Sequence, residues 1–375
     1  MLRKALAVLA VLVIGAIAYL ALAPVPVEPL AWQAPEAPGY KGPHALNTRL
    51  ANLQHLDLGS EGGPEGMAYG PDGKIYAAVA SGAIVRLNAD GSGLEKWTDT
   101  GGRVLGIDFE PQGRLIAADA MRGLLAIGPD RKPELLVDNV AGDPIRYANS
   151  VAVAKSGRIY FTDSSRRFGA KEWGGTFNAS VHDIIEHSAT GRVLEYDPVT
   201  RRTRTVMRDL CFANGVALST DETRLFVAET GEYRVWSVDA TASDLSAKAS
   251  VAGGPQARIL LANLPGYPDN LTRGREGRIW LGLAKPRGAT VDKLSRQPFL
   301  RKVVMRLPRA LWPIPPAYGH VLAFNESGTI VADLQDPSGR YPETTGVIET
   351  ADRLYIQSLH AKSLAWLAKA DAGIK

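Results

Sequence analysis

The sequence lacks the features that mark several common protein classes. It has one cysteine, Cys211, so no disulfide can form within the chain and burial must hold the fold. No G-x-S-x-G motif occurs, which leaves a serine hydrolase of the nucleophile-elbow type without support. His182 and His187 bracket a His-Asp-Ile-Ile-Glu-His stretch, whose spacing fits neither H-E-x-x-H nor H-x-x-E-H. The sequence therefore offers no motif for these hydrolase classes.

An excess of charge of one sign is also missing. The formal net charge is +4, of which Arg3 and Lys4 supply two, leaving +2 for the rest of the chain. Basic residues cluster at 166–167, 201–204 and 301–302, without interleaved aromatic residues or a recognition motif. Such clusters are typical of solvated loops, so we expect no nucleic-acid partner.

One long apolar run stands at the N-terminus. Residues 5–23 carry no charge, follow Arg3 and Lys4, and precede a Pro-rich stretch. Nineteen apolar residues can span a bilayer as a helix, and the basic flank predicts that the following chain is exported. A cleaved signal peptide is the alternative, because residues 21–23 resemble an A-x-A cleavage site. Both interpretations place the rest of the chain outside the cytoplasm, with the uncleaved helix as a single-pass membrane anchor.

A pattern of the form X-Gly-aliphatic recurs six times, with Ser150 and Asn270 standing in place of the glycine in two of the copies. Each copy is followed by a turn and a two-residue strand signal. The distance from X to the strand signal is 9–11 residues, and successive signals are 40, 44, 66, 54 and 75 residues apart. Such repeats are typical of the blades of a β-propeller, so we predict an all-β, six-bladed propeller with an N-terminal transmembrane helix. The X residues are Glu65, Leu105, Asn149, Asn214, Asp269 and Thr345.

Four of the six X residues carry a carboxylate or a carboxamide. Equivalent positions in a propeller converge on its axis, so Glu65, Asn149, Asn214 and Asp269 should meet there, together with Asn270. These side chains give a formal charge of −2 and about five protein oxygens, a donor set that suits Ca²⁺. Zinc is disfavoured because no X residue is cysteine or histidine.

The remaining sequence sets the expected domain boundaries. Residues 1–23 form the anchor or signal segment, 24–48 a Pro-rich stalk, 49–368 the propeller and 369–375 a tail. Residues 50–58 should supply an outer strand that closes the propeller against its last blade. Extra length falls at 164–190 and 285–318, where insertions commonly form lids and substrate walls.

Five stretches carry a resemblance to a known family. They are Phe161-Thr162-Asp163-Ser164-Ser165, Gly191-Arg192-Val193-Leu194-Glu195-Tyr196-Asp197, Phe212-Ala213-Asn214-Gly215-Val216, Val227-Ala228-Glu229-Thr230 and Leu264-Pro265-Gly266-Tyr267-Pro268-Asp269-Asn270. These stretches resemble the strictosidine synthase-like family, and within it the adipocyte plasma membrane-associated protein type. The resemblance covers roughly residues 50–368 in order. It implies a six-bladed propeller related to the paraoxonases and to the gluconolactonase/SMP-30 group.

The resemblance implies the same axial residues as the repeat. In the calcium-dependent relatives a Glu, two Asn and an Asp-Asn pair hold the metal, and these correspond to Glu65, Asn149, Asn214, Asp269 and Asn270. Two departures stand out. Paraoxonases have a histidine proposed as a base where this chain has Leu105, and strictosidine synthase has a catalytic glutamate where this chain has Thr345. The second departure argues against amine–aldehyde condensation, which needs a carboxylate to move the proton.

The function predicted from these residues is calcium-dependent hydrolysis of a small-molecule ester or lactone, with Asp269 and Asn270 as the catalytic residues. Asp269 would bind the metal and assist proton transfer. A binding propeller with a structural metal and a strictosidine synthase-like lyase are the alternatives. For His182 and His187 two roles are open: a polar lid, or the base role that Leu105 cannot take. His320 and His360 are expected to be structural.

Overall fold

Strands form where β-branched, aromatic and alanine residues run between turn residues. The computed structural model describes residues 1–374. The chain begins with α1 (Leu2–Leu22) and β1 (Gln54–Asp57). The first blade contains β2 (Gly66–Tyr69), β3 (Ile75–Ala78), β4 (Ala83–Leu87) and β5 (Glu95–Asp99). The second contains β6 (Val104–Phe109), β7 (Leu115–Asp119), β8 (Gly123–Ile127) and β9 (Pro133–Val137), followed by the short ribbon β10 (Asn139–Val140) and β11 (Asp143–Pro144).

Helices are inserted in the third and fifth blades. The third contains β12 (Ala148–Val153), β13 (Ile159–Asp163), α2 (Thr176–Glu186), β14 (Gly191–Asp197) and β15 (Arg202–Leu210). The fourth contains β16 (Ala213–Leu218), β17 (Arg224–Glu229), β18 (Arg234–Asp239) and β20 (Ala257–Leu261), with β19 (Leu245–Ser246) paired to β15. The fifth contains β21 (Gly266–Arg273), β22 (Arg278–Pro286), α3 (Ala289–Lys293), α4 (Pro298–Arg306), β23 (Gly319–Asn325) and β24 (Ile330–Asp336). The sixth contains β25 (Thr344–Glu349), β26 (Arg353–Ser358) and β27 (Ser363–Ala368).

The six blades close into a circle, which confirms the predicted six-bladed propeller. Each innermost strand packs against the innermost strand of the next blade, and β25 packs against β2. The predicted closing strand is β1, which pairs antiparallel with β27 and places Leu56 opposite Leu364. Strand β1 is thus the fourth, outermost strand of the sixth blade, which joins the first part of the propeller to its last.

The strand directions define two faces of the propeller. In the first blade Gly66 pairs with Ala78 and Tyr69 with Ile75, so the start of the inner strand lies beside the end of the second. Connections from second to third strands therefore share a face with the X residues, and connections from third to fourth strands lie on the opposite face. Both insertions are second-to-third connections. Residues 164–190 and 285–318, which we call the roof, thus cover the X face.

The N-terminal segment is helical and then extended. Helix α1 is long and apolar enough to cross a membrane. Residues 24–41 have no regular secondary structure, and a 3₁₀ turn follows at Gly42–His44. This segment packs against the propeller: Val27 is fully buried, and the His44 ring nitrogen Nδ1 lies 2.8 Å from Asp333 Oδ2. The stalk predicted for residues 24–48 is therefore folded onto the globule.

Candidate functional site

The X residues stand at the starts of the inner strands, where the pairing with the second strand is irregular in every blade but the first. The register shifts between Ala148 and Val151 in β12 and between Ala213 and Val216 in β16. Strands β6, β21 and β25 show a shift at the matching place. A bulge turns a side chain out of its regular direction, so the irregularity frees the X residues of these five blades from the sheet. In the first blade the pairing is regular, and Glu65 directly precedes β2.

The glycine of the repeat is explained by close packing at the axis. A Cβ added at Gly66 would lie 2.1 Å from the Leu105 carbonyl oxygen, and one at Gly106 would lie 2.7 Å from the Asn149 carbonyl oxygen. Neighbouring inner strands approach so closely that no side chain fits between them. In the X-Gly pattern, X supplies the side chain at the axis. The glycine allows the neighbouring inner strands to approach, which brings the X side chains of neighbouring blades together.

Three carboxamides of the site share one arrangement. Their nitrogens donate into the propeller: Asn149 to Ser164 Oγ at 2.9 Å, Asn214 to Thr230 Oγ1 at 3.2 Å and Asn270 to the Glu65 carbonyl at 3.1 Å. Their Oδ1 atoms are buried and have no hydrogen-bond partner within residues 1–374. An unsatisfied buried acceptor is costly, so three at one place fit a hard cation.

The two carboxylates of the site are buried as well. Burial, and then repulsion from Glu65, raise the pKa of Asp269 well above its usual range. Burial also raises the pKa of Glu65, although Arg103 opposes the shift. Arg103 Nη2 donates to Glu65 Oε2 at 2.5 Å. Two carboxylates and one guanidinium give a local formal charge of −1, where the sequence suggested −2.

The sequence did not single out Arg103 because it lies two residues before an X position. It is buried, and its Nη1 donates to the Val79 carbonyl at 2.7 Å. The other two X residues play structural parts. Leu105 is buried in an apolar cluster, and the Thr345 hydroxyl donates to the Glu65 carbonyl at 3.0 Å.

A cavity of about 350 Å³ lies between these residues and the roof. Glu65, Asn149, Asn214 and Asp269 line it on the axial side, which agrees with the predicted convergence. Asn270 lies beside them through its bond to Glu65. The opposite walls are mostly apolar and come from both insertions: Phe177, Val181, Ile184, Met305, Trp312 and Ile314. The arrangement places a polar, acidic floor under an apolar enclosure.

Two histidines considered from the sequence lie elsewhere. The His182 Nδ1 atom lies 2.6 Å from the Asn178 carbonyl oxygen, and His187 stacks on Trp32 with ring centroids 4.0 Å apart. His187 Nε2 is also 2.9 Å from Glu232 Oε1. Neither histidine is among the described residues that line the cavity. Neither can therefore serve as the base in this conformation.

His360 does line the cavity, although the sequence suggested a structural role. Its Nδ1 contacts Glu343 Oε2, and Glu343 Oε1 lies 2.5 Å from Lys285 Nζ. The hydrogen bond that His360 donates to the Glu343 carboxylate raises the pKa of His360. The repeat gave no signal for His360, which follows the end of β26. Glu343 precedes the sixth X residue by two positions, as Arg103 precedes the second, so neither occupies the repeated position.

His320 is not among the described residues that line the cavity. Its Nε2 lies 2.9 Å from Asp333 Oδ2, the atom that His44 also contacts. This group links the folded stalk to the fifth blade.

Comparisons with known families agree with the resemblance. Residues 149–238 match a family model described as strictosidine synthase, and residues 42–87 match one described as strictosidine synthase-like, N-terminal. Protein STRICTOSIDINE SYNTHASE-LIKE 6 of Arabidopsis thaliana is 35% identical over 334 residues, covering 84% of this chain and 82% of the relative. Adipocyte plasma membrane-associated protein of Homo sapiens is 30% identical over 366 residues, covering 92% and 84%.

Solved structures show the same fold at low identity. A gluconolactonase from Xanthomonas campestris is 20% identical with a TM-score of 0.58, covering 92% of this chain and 99% of that one. The calcium-binding protein regucalcin from Agrobacterium tumefaciens is 14% identical with a TM-score of 0.55, covering 84% and 93%. The structural neighbours are thus propellers of the gluconolactonase and regucalcin type.

Proposed function

This chain belongs to the strictosidine synthase-like family, and we propose that it hydrolyses small-molecule esters or lactones with the help of one Ca²⁺ at the propeller axis. The observation that carries the proposal is the set of three unpartnered carboxamide oxygens beside two buried carboxylates. These five side chains, Glu65, Asn149, Asn214, Asp269 and Asn270, would hold the ion. When bound, Ca²⁺ would polarise the substrate carbonyl and favour ionisation of a water molecule.

Asp269 is the residue to which we assign proton transfer. Burial, together with the charge of Glu65, raises the pKa of Asp269, so this carboxylate accepts a proton more readily than an exposed one. In hydrolysis the water oxygen bonds to the carbonyl carbon, the bond to the leaving oxygen breaks, and a proton must pass from water to that oxygen. Asp269 would carry this proton.

Asn270 supports the site by position. Its Nδ2 already donates to the Glu65 carbonyl, so only its oxygen is available toward the cavity. We therefore assign Asn270 as a ligand of the ion that also holds Glu65 in place, and not as a hydrogen-bond donor to substrate. The apolar walls would exclude bulk water and strengthen the electrostatic interactions inside.

A strictosidine synthase-like condensation fits the residues less well. Thr345 carries no carboxylate, and the neighbouring Glu343 is a poor substitute. Burial alone would raise the pKa of Glu343, but hydrogen bonds with His360 and Lys285 lower it overall. An ionised carboxylate already paired to two cationic groups is not suited to carry a proton back and forth.

We also propose that α1 stays attached as a single-pass anchor with the propeller on the extracytoplasmic side. The charge of Arg3 and Lys4 before the apolar run supports this orientation. N-terminal sequencing of the mature protein tests the first part, since a mature end near residue 24 would mean cleavage.

The hydrolase proposal is tested with the full-length protein in detergent. Hydrolysis of phenyl acetate and of a simple lactone is measured before chelation, after chelation and after Ca²⁺ is restored, with Mg²⁺ as a control. We expect activity to vanish with chelator and to return with Ca²⁺. Calcium binding without turnover of any ester or lactone would favour the binding propeller instead.

A further inference from the structure

The end of the membrane helix is fixed to the roof. Arg306 at the end of α4 donates from Nε to the Ala23 carbonyl at 2.6 Å and from Nη1 to the Leu20 carbonyl at 2.9 Å. Carbonyls in the last turn of a helix lack partners within the helix, and a cation there is favourable. Arg306 therefore caps α1 and holds its last turn against α4.

The segment after α1 binds both insertions. The Leu30 amide donates to the Glu186 carbonyl in α2 at 2.8 Å, and Arg301 in α4 donates to the Leu30 carbonyl. Val27 is fully buried in a cluster that includes Met305. With no free linker between them, α1 and the roof keep one relative position. When α1 spans a bilayer, α4 lies at the bilayer surface.

The outward face of the second insertion has the composition of a membrane-contacting surface. Between residues 299 and 314, four large apolar side chains are exposed: Phe299, Leu300, Leu311 and Ile314. Residues 285–318 contain eight Lys or Arg and one acidic residue, and the exposed basic residues among them are Lys293, Arg296 and Arg309. Exposed apolar side chains with flanking basic residues suit the interface of a bilayer with anionic headgroups.

We propose that residues 299–314 rest on the lipid bilayer, so that the cavity opens at the membrane surface and receives an amphiphilic ester or lactone from the lipid phase. Ile314 supports the link, because it is both exposed and part of the cavity wall. The roof and the cavity lie on the same face of the propeller. The lipid contact rests on the geometry of the roof alone, whereas the substrate class rests also on the proposed hydrolase function.

The lipid contact is tested by a fluorescent probe in the full-length protein reconstituted in phosphatidylcholine/phosphatidylglycerol vesicles. A polarity-sensitive probe is attached to Leu311→Cys or, as the control, to Val199→Cys. Val199 lies in the turn between β14 and β15 on the opposite face and is also exposed. The native Cys211 is buried, so it should remain unlabelled.

We expect lipids with a nitroxide quencher near the headgroup to quench the probe at 311 at least about threefold more than the probe at 199. Equal quenching at the two positions would overturn the lipid contact. This readout does not require activity, so it can fail or succeed independently of the hydrolase proposal.

The substrate class is tested with Leu311→Glu and Phe299→Glu, and with Val199→Glu as the matched control. On a long-chain ester embedded in the vesicles we expect both roof variants to lose about threefold to tenfold in rate, because each puts a charge at the interface. Hydrolysis of a soluble short-chain ester should stay unchanged. Equal rates on the embedded ester for roof variants and control would overturn uptake from the lipid phase.

Discussion

The X residues at the propeller axis, Glu65, Leu105, Asn149, Asn214, Asp269 and Thr345, form what we call the ring. The ring and the roof above it are built by different means. The ring residues come from six copies of one pattern, held together by inner strands that pack backbone to backbone at glycines such as Gly66. The roof comes from two unlike insertions and the N-terminal segment, held by side chains such as Arg301 and Arg306. The first region is repetitive and tightly packed, and the second has no internal repeat. The comparison suggests that the ring sets the chemistry while the roof sets what reaches it.

The largest expected effect comes from breaking the ring at Asp269. Asp269→Asn should lose about 100- to 10,000-fold in activity even at saturating Ca²⁺, since the carboxylate would both bind the ion and carry the proton. Glu65→Gln should lose activity mainly through weaker calcium binding and recover in part at high Ca²⁺. Calorimetric titration with Ca²⁺ beside esterase assays separates the two.

Asp336→Asn is the matched control for these variants. Asp336 is buried in the fifth blade and accepts from the Ser338 amide at 3.0 Å, away from the cavity. Its substitution should leave calcium binding unchanged. Full activity of Asp269→Asn at saturating calcium would remove its catalytic role, and absence of calcium binding by the unmodified protein would defeat the whole site assignment.

The roof should respond to pH through Asp183 in α2. Burial raises the pKa of Asp183 to about 7, and both carboxylate oxygens are without a hydrogen-bond partner among the described residues. Between the unfolded pKa near 4 and the folded value, the native state holds more protons. The contribution of Asp183 to the free energy of unfolding is therefore fully present below about pH 4. It falls by up to about 4 kcal/mol as pH rises toward 7.

Asp183→Asn should remove this dependence, because the amide does not ionise. Denaturant unfolding at a series of pH values from 5 to 8 compares the two proteins. Glu222→Gln is a control, since Glu222 lies on the opposite face beside the turn before β17. If the parent and Asp183→Asn show the same pH slope, Asp183 does not carry the effect.

The packing of the ring is tested at Gly66. An added methyl would meet the Leu105 carbonyl, so Gly66→Ala should destabilise the propeller by about 3 kcal/mol. Gly254→Ala is the matched control, because a Cβ there meets nothing within 4 Å. Equal unfolding free energies for the two variants would show that the inner strands can separate at little cost.

The same difference between ring and roof explains how far the sequence could predict the structure. The inner strands and the closing strand followed from periodicity, and so did the convergence of Asn149 and Asn214 on one cavity. Arg103 and His360 were not found, because neither occupies a repeated position. Residues 24–48 fold onto the roof and the fifth blade through contacts of single side chains distant in sequence, such as Arg301 and Asp333. No sequence pattern predicts such contacts.

The smallest expected effect lies at the mouth of the cavity, where ring and roof meet at His360. The Glu343 carboxylate accepts a hydrogen bond from the His360 imidazole, and this bond is the main cause that raises the pKa of His360. Protonated His360 therefore persists above the usual pH for histidine. The stabilisation of the folded protein by the His360–Glu343 pair is fully present below about pH 6.5. It is lost as pH rises through the pKa of His360 in the folded protein. Because His360 is more than half exposed, solvent screening keeps the contribution small.

His360→Gln should therefore leave kcat nearly unchanged and alter KM by less than about tenfold, because the residue borders the substrate path without reaching the axial carboxamides. His55→Gln is the control, since His55 is exposed on β1 and bonds Ser363 Oγ at 2.8 Å. KM and kcat are measured from pH 6 to 8. A large fall in kcat for His360→Gln alone would move His360 from the entrance into the chemistry, and proton transfer would then be shared between Asp269 on the ring and a residue at the mouth.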